Sequence, residues 1–147
     1  MISPFTSNGT RMPQAAALLL SLLTEAPAAA LVTRGLRWGS APRAAVAAVL
    51  GTCATHPVLW EVLWELIPDL GYWPAVAIGE AGVVAIEALF YGLLLPLPWG
   101  RALAVSAAAN AASFGAGLAI AVLRGKAATT RTRMGISSQA CTSAAMA

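Results

Sequence analysis

The feature that most constrains this chain is a set of four apolar runs, at about residues 13–33, 43–60, 74–96 and 101–123, which together take up most of its 147 residues. Each approaches the roughly 20 mostly apolar residues that a helix needs to cross a bilayer. Strands do not fit, because the runs are long, rich in Ala and Leu, and lack the period-two alternation of a membrane barrel. Lipid offers no partners to backbone N–H and C=O groups, so such a chain must satisfy them within its own helices. A composition of 59% hydrophobic and 10% charged residues lies well outside the balance of a soluble domain. The expectation is an all-α polytopic membrane protein with four transmembrane helices over residues 1–126, followed by a polar, flexible tail over 127–147.

The tryptophans provide an independent check, since Trp favours the headgroup level. Trp38 precedes span two, Trp60 and Trp64 follow it, Trp73 precedes span three and Trp99 follows it. Between spans two and three, "WEVLWELIPDLGYW" repeats Trp60/Trp64 and Leu63/Ile67 at helical spacing, with Glu61, Glu65 and Asp69 on another face. This predicts a short interfacial helix closed by Pro68. The three acids have no basic neighbour in the loop, which marks Glu61, Glu65 and Asp69 as a partner-contact candidate.

Span one also has traits of a secretory signal, in Arg11, "AAALLLSLL" and "EAPAAA". Apolar character resumes through Leu31 and Val32 to a basic stop at Arg34, so the span is expected to be retained. Arg34, Arg37 and Arg43 put the first connection in the cytoplasm, with Arg101 on the same side. Counting every basic residue opposes this weakly, with five on the side of the termini (Arg11, Arg124, Lys126, Arg131, Arg133) and four opposite. The net charge of +3 does not indicate nucleic acid, because the bases flank apolar runs and form no patch with exposed aromatics. Cys53 lies in an apolar run and Cys141 in a polar tail, so no disulfide between them is expected.

The polar residues inside the spans are the candidate site: Glu25 in span one, His56 in span two, Glu80 and Glu87 in span three, and Ser106, Asn110 and Ser113 in span four. A glutamate at mid-bilayer costs roughly 2.5–3.5 kcal/mol on insertion scales, so such groups face the bundle interior, pair, or become neutral. Glu80 and Glu87 share a face of span three, while Ser106, Asn110, Ser113 and Gly117 share one of span four. His56 lies roughly 6 Å below Trp60 and Glu80 roughly 10 Å below Trp73, which makes them potential partners. Two readings stand. In one, protonated glutamates bond to His56, Asn110, Ser113 or backbone as glue between helices. In the other, at least one glutamate exchanges a proton or binds a cation with His56 as its partner. Pro57 frees the carbonyl of Cys53, which Thr55 or water would satisfy.

No HExxH pair, Gly-rich phosphate loop, nucleophile elbow or CxxC occurs, so neither an enzyme nor a metal site is expected. No cofactor is indicated either; the lone His56 is the one candidate ligand for a pigment or haem. Span four, with Ala107, Ala108, Ala111, Gly115, and Ser113 and Gly117 four apart, lets another helix approach closely, so Ser113 and Gly117 join the partner-contact candidates.

The segments "TCATHPVLW", "IGEAGVVAIEAL" and "RALAVSAAANAASFGAGL" resemble a group of small prokaryotic multi-span membrane proteins with Thr-x-Pro, Glu-x6-Glu and Asn-x-x-Ser in successive spans. The resemblance covers about half the chain, singles out Thr55, Pro57, Glu80, Glu87, Asn110 and Ser113, and implies a prokaryotic inner membrane but no activity. The functional expectation is a small accessory or scaffolding subunit of a larger membrane complex, partnered by lipid and by other subunits or copies of itself. The alternative is a proton- or cation-coupled small-solute carrier acting as an oligomer.

Overall fold

In the computed structural model, which describes the backbone of residues 14–144 and the side chains of residues 14–123, four helices follow one another. They are α1 (Gln14–Gly35), α2 (Ala41–Leu70), α3 (Tyr72–Leu94) and α4 (Trp99–Ala144). Each contains a stretch long and apolar enough to cross a membrane, that of α4 being Trp99–Leu123. The chain is therefore an all-helical membrane protein. It divides into two compact units, one ending at Phe114 and one beginning at Gly115; the core and the polar site lie in the first. The segment expected as a polar tail continues α4 as backbone to Ala144, and its side chains lie outside the described residues. Arg11 and the side chains of Arg124, Lys126, Arg131 and Arg133 lie outside them too.

The separate interfacial helix expected between spans two and three is not a separate element, because residues 61–70 continue α2 without a break. Pro57 and Pro68 both lie inside that helix. A proline costs a helix one backbone bond and strains one turn, but in apolar surroundings the remaining bonds hold the helix together. The Thr55 hydroxyl donates to the Gly51 carbonyl at 3.0 Å, not to that of Cys53, since a helical threonine reaches back four residues rather than two.

The connections are tight. At the end of α1, Trp38 N donates to Thr33 O and Arg37 N to Arg34 O, which is the hydrogen-bond pair of a Schellman stop. Arg37 takes the left-handed position (φ 54°) although Gly35 lies two residues earlier. Trp38, the next residue, packs against the core, and the Arg101 guanidinium lies 5.4 Å from its ring centre. The α1–α2 turn and the start of α4 thus share one end of the bundle. At the other end, α2 and α3 are joined by Gly71 alone, with φ 78° and ψ 168°, a region essentially restricted to glycine.

The interior is built from small residues. Ala29, Ala44, Ala47, Ala88, Ala102 and Ala109 are fully buried, whereas Leu31 and Leu93 are 70% and 81% exposed. Lipid is as apolar as leucine, so burying large side chains gains little, and close backbone approach through alanine and glycine holds the helices together. Gly51 is the tightest such approach without give: a Cβ there would stand 3.0 Å from Glu87 Cγ and 3.6 Å from its Cα.

Candidate functional site

Alpha-helical periodicity brings Thr52 and Thr55 of α2 onto the side facing α1 and α3, three residues apart. Each meets one glutamate. The Glu25 carboxyl, buried on α1, bonds to the Thr52 hydroxyl, while Glu87, buried on α3, faces Thr55 at 3.2 Å. From α4, the Asn110 amide donates to Glu87 Oε2 at 2.6 Å and the Ser106 hydroxyl to the same oxygen at 3.4 Å. Ser21 and Ser113 join α1 to α4 through their hydroxyls at 3.0 Å. The network therefore ties every helix to two neighbours.

Its protons can be counted. A threonine hydroxyl carries one hydrogen. Thr52 Oγ1 lies 2.8 Å from Ala48 O and Thr55 Oγ1 lies 3.0 Å from Gly51 O, so each hydrogen has a backbone acceptor in its own helix. As placed, Thr52 and Thr55 donate to Glu25 and Glu87; a hydrogen held on its backbone acceptor instead would require a neutral acid at the carboxyl, with Glu87 donating through Oε1 to Thr55 while it accepts through Oε2 from Asn110. Among the described residues neither carboxyl pairs with a cationic side chain. An isolated carboxylate would be very costly to bury there, which agrees with the neutral count.

Glu80 and His56 lie outside that satisfied network. Glu80 is half-buried on α3, and none of the hydrogen bonds above involves it. His56, half-buried on α2, stacks on Trp60 with ring centres 6.1 Å apart and planes at 21°, yet its Nε2 is buried without a hydrogen-bond partner in the protein. Both line a cavity of about 80 Å³ shared with Glu25, Asn110, Ser113 and Ser21. That space suits a few waters and is far too small for a porphyrin ring. Among the described residues no group of three His, Cys, Asp or Glu could hold a metal ion. The Tyr91 hydroxyl is a second buried polar atom without a partner.

Glu80 and Asn110 also reach a larger space, a groove of about 500 Å³ between α3 and α4. Small residues line both walls, Ala77 and Ala81 from α3 and Ala107 and Ala111 from α4, with Trp73 and Phe114 among its larger residues.

Glu61, Glu65 and Asp69 are exposed on the last turns of α2, where no basic residue lies. Ser113 is half-buried and bonded to Ser21 of α1, while Gly117 belongs to the second unit, with nothing within 4 Å of an added Cβ. Thr52 and Ser21 escaped the sequence reading. Their only signals were an i, i+3 relation to Thr55 and an i−4 relation to Glu25, common positions for hydroxyl residues in membrane helices. Cys53 is a free thiol on the exposed side of α2.

Compared with protein families, curated proteins and solved structures, the chain matches none.

Proposed function

We propose that the chain is a small accessory or scaffolding subunit of a larger membrane protein complex, with the α3–α4 groove seating a transmembrane helix of another subunit. The observation that carries this reading is the groove itself: alanines along its walls admit a helix backbone closely, and Glu80 and Asn110 can hydrogen-bond a polar residue on it. The inner carboxyls fit a structural role, since Glu25 and Glu87 are taken up in bonds between helices.

The bilayer placement follows from charge and length. Arg34, Arg37 and Arg43, with Arg101 at the same end, favour the cytoplasmic side of a prokaryotic inner membrane. At 30 residues α2 is about 45 Å long against a hydrocarbon core of about 30 Å, so its last turns, with Trp60, Trp64, Glu61, Glu65 and Asp69, reach the opposite headgroups. Acids at a helix C-terminus oppose the helix dipole, and a basic segment of the partner would relieve this.

Purification in mild detergent tests the reading. Other membrane chains should co-purify, and Ala81→Trp or Ala111→Trp, which fill the groove, should release them while the protein stays folded. A stable oligomer of this chain alone would sink it in favour of the second reading, a proton- or cation-coupled carrier, which the unpartnered His56 Nε2 beside Glu80 favours.

A further inference from the structure

Two polar spaces meet along Glu80, Asn110 and Phe114, and Glu80 is the titratable residue that lines both the inner cavity and the outer groove. From α1 the inner cavity receives Ser21 and Glu25, from α2 Thr55 and His56, from α3 Glu80, and from α4 Asn110 and Ser113. Its titratable groups are thus Glu25, His56 and Glu80, and α4 contributes amide and hydroxyl only. Glu25 is engaged by Thr52. His56 Nε2 and the Glu80 carboxyl remain as the free donor and acceptor, with room between them for water.

We propose that this cavity is a hydrated proton-exchange site in which His56 Nε2 and the Glu80 carboxyl share one proton through bridging water. The step is a transfer without redox change. Imidazolium Nε2–H gives its proton to water, that water gives one to the Glu80 carboxylate, and a charged pair becomes neutral imidazole and carboxylic acid. The total charge of the cavity is unchanged, so the cost of either state in lipid stays low. Asn110 and Ser113 supply further partners for the water, and a buried water needs about three. Stacking on Trp60 holds the imidazole ring in place. Because Glu80 also borders the groove, the proton has a way out that bypasses Glu25 and Glu87.

This inference goes beyond the scaffolding reading, and its test needs no partner subunit, so it can fail separately from co-purification. The chain has a single histidine, so imidazole labelling with nitrogen-15 reports on His56 alone. In bilayers, the wild-type imidazole should show magnetisation exchange with water and should titrate. Glu80→Gln should lower the midpoint, because it removes from the shared cavity an acid whose carboxylate favours the imidazolium. Glu80→Asp, which keeps the acid, should retain both the water exchange and a midpoint near the wild-type one. Circular dichroism establishes that each variant is folded, and Glu80→Asp carries the test if the glutamine variant is not. Absence of water exchange in the wild type, or identical midpoints in wild type and Glu80→Gln, would overturn the proposal.

Discussion

Replacing Glu87 offers the most direct test of the proton count in the core. Its side chain is 1% exposed and is met by Thr55, Ser106 and Asn110. Glutamine repeats the pattern of a neutral acid, since its oxygen accepts from Asn110 and its amide donates to Thr55. Glu87→Gln should therefore change stability by no more than about 0.6 kcal/mol, the average worth of one hydrogen bond between membrane helices. Leucine is similar in size but loses all three contacts. Asn110 keeps its bond to Ser106 O and Thr55 its bond to Gly51 O, so neither is wholly orphaned. Three lost bonds at about 0.6 kcal/mol each put Glu87→Leu at about 2 kcal/mol. Unfolding by SDS in mixed micelles, followed by circular dichroism, measures both values. A cycle with Asn110→Ala should assign the largest share to the 2.6 Å contact. If glutamine costs as much as leucine, the carboxyl is ionised and the proton count is wrong; if leucine costs nothing, the network does not hold α2, α3 and α4 together.

The remaining expectations concern packing and placement. Gly51→Ala should destabilise by about 1–3 kcal/mol, because the new methyl meets Glu87 near its backbone, whereas Gly79→Ala should cost less, since its closest neighbour is the movable end of Leu59. Equal losses in the same SDS titration would contradict the packing argument. Once Cys53 and Cys141 are replaced by serine, a cysteine at Ser40 should resist impermeant reagent in intact cells while one at Asp69 reacts; the reverse pattern would invert the proposed orientation.

The membrane class, the number of helices and most of their starting points are determined by local sequence. Apolar runs of bilayer length and boundary tryptophans act residue by residue, without reference to the rest of the fold. The polar candidates were legible for the same reason, since Glu25, Glu80, Glu87 and Asn110 are costly wherever they stand in a span. What pairs with them was legible only in part: Asn110 was among the expected partners and meets Glu87, but Thr52 and Thr55 were not. Glu25 meets Thr52 and Glu87 meets Thr55 because alanines and Gly51 let α2 come close to both neighbours. That approach depends on side chains that are absent, which leave no polar or periodic mark to read. The unbroken α2 is likewise a tertiary outcome: the end of the apolar run at Trp60 suggested an ending, but α2 stays helical to Gly71, whose backbone angles turn the chain directly into α3. The separation of Glu80 from Glu87 was also decided in three dimensions. Seven residues place both on one helix face, but α4 closes over Glu87 through Ser106 and Asn110, while at Glu80 the gap between α3 and α4 opens into a groove.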